Sequence, residues 1–325
     1  MNVGIRAMAC ELPSEARSLA DICTDEGVDL SDADRTRLGI DQVGVAASAD
    51  DLALTAARNA LERAAVTAKE VDVIVDYTVL PQRFLVPVWN LGNKLQHELG
   101  ATNAFTLGFS GGGATNFHVA LRFATDLIRN DDGVGTALLF GAEAAIPGNR
   151  VINPDEPVTV LGDGASALVL AGDGTDDVVL ATELVSDAAF HDICHIPGGA
   201  LAQLDNEDRS DLYRLRIDTA RLDAARMGAT LKDLGERALH RAGVGLGDVA
   251  HFIFPNLSAE DTAACRAVWN ASPDPSADDN RRRNGHVQGT DLAHNLSSLP
   301  AERGDVVVLA SHGLGFTAGV TVVRR

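Results

Sequence analysis

One stretch of this chain occurs twice. Ala60-Leu61-Glu62-Arg63-Ala64-Ala65-Val66 recurs as Ala238-Leu239-His240-Arg241-Ala242-Gly243-Val244, at an offset of 178 residues (239 − 61) and without a gap. Val71 then matches Val249, and Glu70 matches Asp248 in charge. Each copy runs into an apolar strand, Val73-Ile74-Val75 in the first and Phe252-Ile253-Phe254 in the second. A repeat this long means two duplicated half-domains, because solenoid periods are far shorter. Two such halves packed face to face leave a cleft between them as the natural place for a site.

Helical patterns alternate with apolar strands, the grammar of an α/β layered fold. The pattern predicts helices over 51–65, 115–129, 222–242 and 259–271. It predicts strands over 71–78, 136–141, 249–254, 304–310 and 316–323. A strand pair around Val158–Leu161 and Ala165–Ala171 closes the first half. Each half ends on a glycine-opened turn before an apolar strand: Gly162-Asp163-Gly164 in one, Gly313-Leu314-Gly315 in the other. Segment 272–284 is rich in Asp, Asn, Pro, Ser and Arg and reads as a mobile surface loop.

Composition excludes several classes. The net charge is −19, from 27 Lys+Arg against 46 Asp+Glu, and no basic stripe is visible. Nucleic acid and anionic membranes are therefore not expected partners. The one basic run, Arg281-Arg282-Arg283, falls in the predicted loop and reads as solvated. No run of roughly 18 apolar residues predicts a membrane span, and the start Met1-Asn2-Val3-Gly4-Ile5 reads as a strand, not a signal peptide. Four scattered cysteines, Cys10, Cys23, Cys194 and Cys265, lack CxxC spacing. They point to a reduced, cytoplasmic chain with no structural zinc and no metal.

The motifs, in their order and spacing, resemble the thiolase superfamily, and within it the ketoacyl-acyl carrier protein synthase III group. They are Arg37-Leu38-Gly39-Ile40, Leu161-Gly162-Asp163-Gly164-Ala165-Ser166-Ala167, Ser186-Asp187 with Ile196-Pro197-Gly198-Gly199, and Gly313-Leu314-Gly315-Phe316-Thr317-Ala318-Gly319. The resemblance spans essentially the whole chain. It implies a five-layered α-β-α-β-α fold, with halves at 1–172 and 173–325, and a homodimer. It also implies chemistry at three centres: a cysteine at the start of a buried helix, and a histidine and an asparagine on loops of the second half.

This chain departs from that pattern at all three. The cysteine position falls on Ala114, after Gly111-Gly112-Gly113. A helix start there still suits an oxyanion, but an alanine cannot attack a thioester. The favoured reading is a Cys→Ala variant, because the rest of the site is kept. A natural protein that transfers directly or not at all stays open, as does a displaced nucleophile at Ser110. Asn256 stands at the histidine position and His286 at the asparagine position, so the two have exchanged places. Asp291 follows His286 by five residues, a spacing similar to a natural-product acyltransferase branch with a Cys-His-Asp or Ser-His-Asp triad. In such a triad His286 is general base, Asp291 fixes its tautomer, and Asn256 donates an amide N–H to a carbonyl or positions the acceptor. Asp291 also suits a helix cap. The backbone N–H groups at Ala114 and, by resemblance, Leu314 form the oxyanion hole. His312 is expected to line the cleft, His118 to pack internally, and Cys194 to fill space near an acyl pocket.

The implied activity is acyl transfer from acyl-CoA or an acyl carrier protein, through position 114, to a small-molecule hydroxyl or amine acceptor in secondary metabolism. The phosphopantetheine thioester is then substrate, and no cofactor is expected. Decarboxylative Claisen condensation and a non-catalytic partner role in a heterodimeric ketosynthase are the alternatives. The acidic Ser258-Ala259-Glu260-Asp261, where synthase III enzymes dock an acidic carrier through basic residues, favours acyl-CoA. Arg266 keeps the carrier option open.

Overall fold

A computed structural model describes residues 1–80, 89–174, 177–197, 214–221, 224–313 and 317–325. Nine strands form one sheet: β1 (Gly4–Glu11), β2 (Val73–Asp76), β3 (Phe105–Gly108), β4 (Thr136–Glu143), β5 (Gly164–Ala171), β6 (Val178–Ser186), β7 (Val249–Ile253), β8 (Val306–Gly313) and β9 (Thr317–Arg324). Their order is β7-β8-β9-β6-β1-β5-β4-β2-β3. The order mirrors about β1 and β6, which join through one antiparallel pair, Gly4↔Val178. On each side an antiparallel pair sits next to this centre and a parallel pair further out.

Helices complete five layers. Helix α1 (Ala49–Ala64) packs on β1, β5 and β4, and α3 (Ala224–Ala242) packs on β6, β9 and β8. Between the sheet halves lie α2 (Asn116–Asn130) and α6 (Asp291–Ser298), each touching strands of both halves. Their apolar faces, including Phe117, Leu121, Leu292 and Leu296, fill the central core. A fully buried side chain of this size stabilises the fold by about 1.5–3 kcal/mol.

The duplication extends to the hydrogen bonds of the helix-to-strand corner. The buried stripe of α1, Ala53, Ala56, Ala60 and Leu61, lies 178 residues before Leu231, Leu234, Ala238 and Leu239 of α3. Both helices end on a left-handed residue, Ala65 at φ 53° and Gly243 at φ 69°. Val66 N–H then donates to Leu61 O (3.0 Å), and Val244 N–H to Leu239 O (3.1 Å). Glu70 accepts from Thr67 N–H, and Asp248 from Gly245 N–H, both at 2.8 Å. At the position of Ala57 the second copy has Gly235, where a Cβ would lie 2.9 Å from the Trp269 ring.

Two sequence expectations are overturned. Segment 272–284 is no loop: Pro275–Asn284 is a helix, α5, that follows α4 (Ala259–Trp269). Asp274 caps it, accepting from Ser276 N–H at 2.9 Å, Pro275 opens its first turn, and Gly285 ends it. These are standard start and stop signals, hidden by the polar composition. The basic run lies on its last turn. Arg281 is buried against Asp278 (2.7 Å), while Arg282 holds Asp41 (2.6 Å). The strand expected over Val158–Leu161 does not pair with β5. Its core, Thr159–Val160, pairs with Val151–Ile152 in a separate ribbon. Among the described residues no helix is long and apolar enough to cross a membrane.

His118 of α2 is fully buried, with Nδ1 on Thr321 Oγ1 at 2.8 Å and Nε2 without a partner. Burial pulls its pKa down to about 3. The unfolded chain takes up that proton near pH 6.5 and the native one only near pH 3, so stability falls as pH drops through this window. His118→Gln is expected to remove this share of the acid destabilisation, read as a flatter plot of denaturant midpoint against pH between 6.5 and 4.

Candidate active site

His286 is placed by its backbone. Gly285 stands at φ 66°, and a Cβ there would lie 2.7 Å from Val160 O. His286 N–H donates to Val160 O, and Gly162 N–H donates to His286 O, both at 3.0 Å. Gly162 permits this approach, since a Cβ would come 1.8 Å from Asn284 O. The mid-chain glycine motif and the histidine turn are thus one structure. Asp163 anchors it from a fully buried position. It takes Arg150 through two bonds of 2.8 Å, Ala46 N–H at 2.7 Å and Ala145 N–H at 2.8 Å.

Asp291 begins α6 and has no exposed surface. Its Oδ2 accepts His286 Nδ1 at 2.6 Å and Asn256 N–H at 2.8 Å. Its Oδ1 accepts Val287 N–H at 2.8 Å and the Asn256 amide at 3.4 Å. With Nδ1 spent on a carboxylate, Nε2 is the imidazole nitrogen left for chemistry. Asn256 differs from the sequence expectation. Its Oδ1 accepts from Asn295 Nδ2 at 2.9 Å and its amide reaches Asp291, so it braces the carboxylate; its neighbours Pro255 and Leu257 line the cavity.

Ala114 lies in a single 3-10 turn, Gly113–Thr115, that feeds α2. Gly111 and Gly113 take φ 88° and 55°. Gly112 N–H donates to Asn116 Oδ1 at 3.0 Å, and Gly112 O accepts Thr317 Oγ1 at 2.8 Å. A Cβ on Gly313 would come 2.0 Å from that same oxygen. Among the described residues the N–H groups of Gly113 and Ala114 have no acceptor, the orphan donors that any helix start leaves.

These pieces open on one cavity of about 240 Å³. Ala114, Gly113, His286, Gln288 and His312 line it, with an apolar wall that includes Leu80, Ile152, Ile217 and Leu257. Cys194 joins the wall, and burial pushes its thiol up to about 11, so it is no ready substitute nucleophile. Ser110 is exposed and does not line the cavity. Leu314, and Gly198-Gly199 of the third motif, lie outside the described residues.

Sequence reasoning missed two features. Gln288 lines the cavity from a left-handed φ of 52°. The second is a pair: His312 Nε2 meets Asp261 Oδ1 at 3.0 Å. Burial acts to lower the His312 pKa, but Asp261 outweighs it and the net direction is up. Cys265 lies beside this pair, so a Cys/His/Asp group exists where no metal-ligating cluster was expected. Spacing along the chain conceals it, because Asp261 and His312 are 51 residues apart.

No protein-family model matches the chain. It is 29% identical over 301 residues to beta-ketoacyl-[acyl-carrier-protein] synthase III of Rhodospirillum centenum, covering 89% of this chain and 88% of that one. The crystal structure of 3-oxoacyl-(acyl carrier protein) synthase III from Pseudomonas aeruginosa PAO1 matches 100% of this chain and 98% of its own, with TM-score 0.81 and 25% identity. ChlB3, described as an acyltransferase, covers the same shares with TM-score 0.84 at 22% identity and speaks to the fold alone. The fold and these relatives define a thiolase-type protein. The fold is of the thiolase type, and over nearly its whole length the chain is similar to the ketoacyl-acyl carrier protein synthase III proteins.

Replacing Asp163 by Asn leaves Arg150 buried without a counter-charge. The expected loss is about 3–5 kcal/mol, read from urea unfolding.

Proposed function

We propose that this chain is an acyltransferase site that moves an acyl group from a thioester to a hydroxyl or amine acceptor. The observation that carries this reading is the buried His286–Asp291 pair opening on the cavity that Ala114 lines. His286 Nε2 takes the acceptor's proton, and the acceptor oxygen or nitrogen attacks the acyl carbon. In a form with a cysteine at position 114, that sulfur has first taken the acyl group from the donor thioester and released the CoA thiol. The orphan N–H groups at the start of α2 receive the oxyanion in both steps, and the sulfur at 114 leaves in the second, regaining its proton from His286. Position 114 is the loading position, and alanine makes this chain the form that holds a donor without becoming acylated.

The donor is a small acyl-CoA. The start of α4 places Glu260 and Asp261 near the cavity, which disfavours an acidic carrier. A cytoplasmic homodimer acting in secondary metabolism fits this reading. A second reading, decarboxylative condensation, draws support from the relatives named synthase III.

Intact-protein mass after incubation with acyl-CoAs tests the loading position. The parent chain is expected to gain no acyl mass, and Ala114→Cys to gain one acyl group. Loading of the parent, or of neither protein, would overturn the assignment. In the Ala114→Cys background, His286→Ala and Asp291→Asn are each expected to slow transfer to an added alcohol or amine about 10²–10⁴-fold. Condensation with malonyl thioesters, in preference to transfer, would favour the second reading.

A further inference from the structure

We propose that Asp261, Cys265 and His312 form a binding site for one divalent transition-metal ion of the zinc class. Asp261 and Cys265 are four residues apart on α4, so both point to the same face of the helix. His312, near the end of β8, closes the third side. One ligand atom from each lies within 4.8 Å of the others. Zinc bonds of about 2.0–2.3 Å put tetrahedral ligands roughly 3.3–3.8 Å apart. His312 Nε2 lies 3.0 Å from Asp261 Oδ1 and Cys265 Sγ lies 3.9 Å from Asp261 Oδ2, so the carboxylate stands between the other two donors at separations close to those a bound ion requires.

The surroundings favour a cation. The His312 side chain is only 10% exposed, and its Nδ1 is buried with no hydrogen-bond partner. Among the described residues His312 is the one basic side chain within ion-pair distance of Asp261. A sulfur, a nitrogen and an oxygen donor together suit zinc or cobalt and not the hard, oxygen-seeking magnesium or calcium. Three protein ligands leave a fourth position open. Asp261 and His312 line both the 240 Å³ cavity and a neighbouring pocket of about 400 Å³ that Cys265 also lines, so that position is reachable from either.

The test is Co²⁺ titration of the full chain after chelator treatment, followed by Zn²⁺ competition. The expected result is one equivalent of Co²⁺, a thiolate-to-cobalt charge-transfer band, and displacement by Zn²⁺. Cys265→Ser should abolish the band, and His312→Gln should weaken binding at least tenfold. Thermal melting with and without Zn²⁺ checks that each variant folds. Should Cys265→Ser fail to fold, His312→Gln carries the test alone. Absence of stoichiometric binding, a band that survives Cys265→Ser, or affinity unchanged in His312→Gln would overturn the site.

Discussion

The site depends on one buried carboxylate. Asp291 has no contact with water, yet four donors converge on its two oxygens: the His286 ring, the Asn256 backbone and amide, and the Val287 backbone. It also stands at the start of α6, where the helix dipole favours negative charge. A carboxyl group this deep is tolerated only when its polar atoms are hydrogen-bonded. The same bonds tie three separate pieces of chain together: the loop after β7, the His286 turn and the start of α6. Stability and imidazole orientation are therefore properties of one network, in which Asn256 acts as a brace.

Duplication explains why the network faces position 114. The 3-10 turn Gly113–Thr115 leads into α2, and the 3-10 turn Gln288–Thr290 leads into α6. Both helices lie between the sheet halves, and both turns reach the same cavity through Ala114 and Gln288. Two equivalent helix starts have taken different tasks. Among the described residues the first leaves the N–H groups of Gly113 and Ala114 without an acceptor, while the second carries Asp291 as its first helical residue.

Much of this was legible in the sequence, for physical reasons. The 178-residue repeat was readable because the helix-to-strand corner needs the same buried stripe, left-handed cap and acidic bond in each half. The His286 to Asp291 spacing was readable because the two residues flank one tight turn. Helix α5 was misread because its polar composition masked its Asp274-Pro275 start and Gly285 stop, and because Arg282 pairs with the distant Asp41 where solvation was expected. The bracing contacts of Asn256 were not legible because its partner Asn295 lies on α6, 39 residues further along the chain. The Asp261–His312 pair was beyond reach for the same reason: it is a tertiary contact between α4 and β8 with no local signature.

An alanine at position 114 fits this architecture because nothing that shapes the turn uses that side chain. Gly112 is held by Asn116 on one side and Thr317 on the other, Asn116 is held by Phe109 O at 3.2 Å, and Gly313 leaves room for the close approach. The contacts that shape the turn therefore do not depend on the side chain at 114. Asp291 is the opposite case, since its removal would strand four donors at once. On the proposed acyltransferase reading, a nucleophile at 114 can be dropped at little structural cost, whereas the carboxylate cannot. A chain can thus lack the first while keeping every contact of the second.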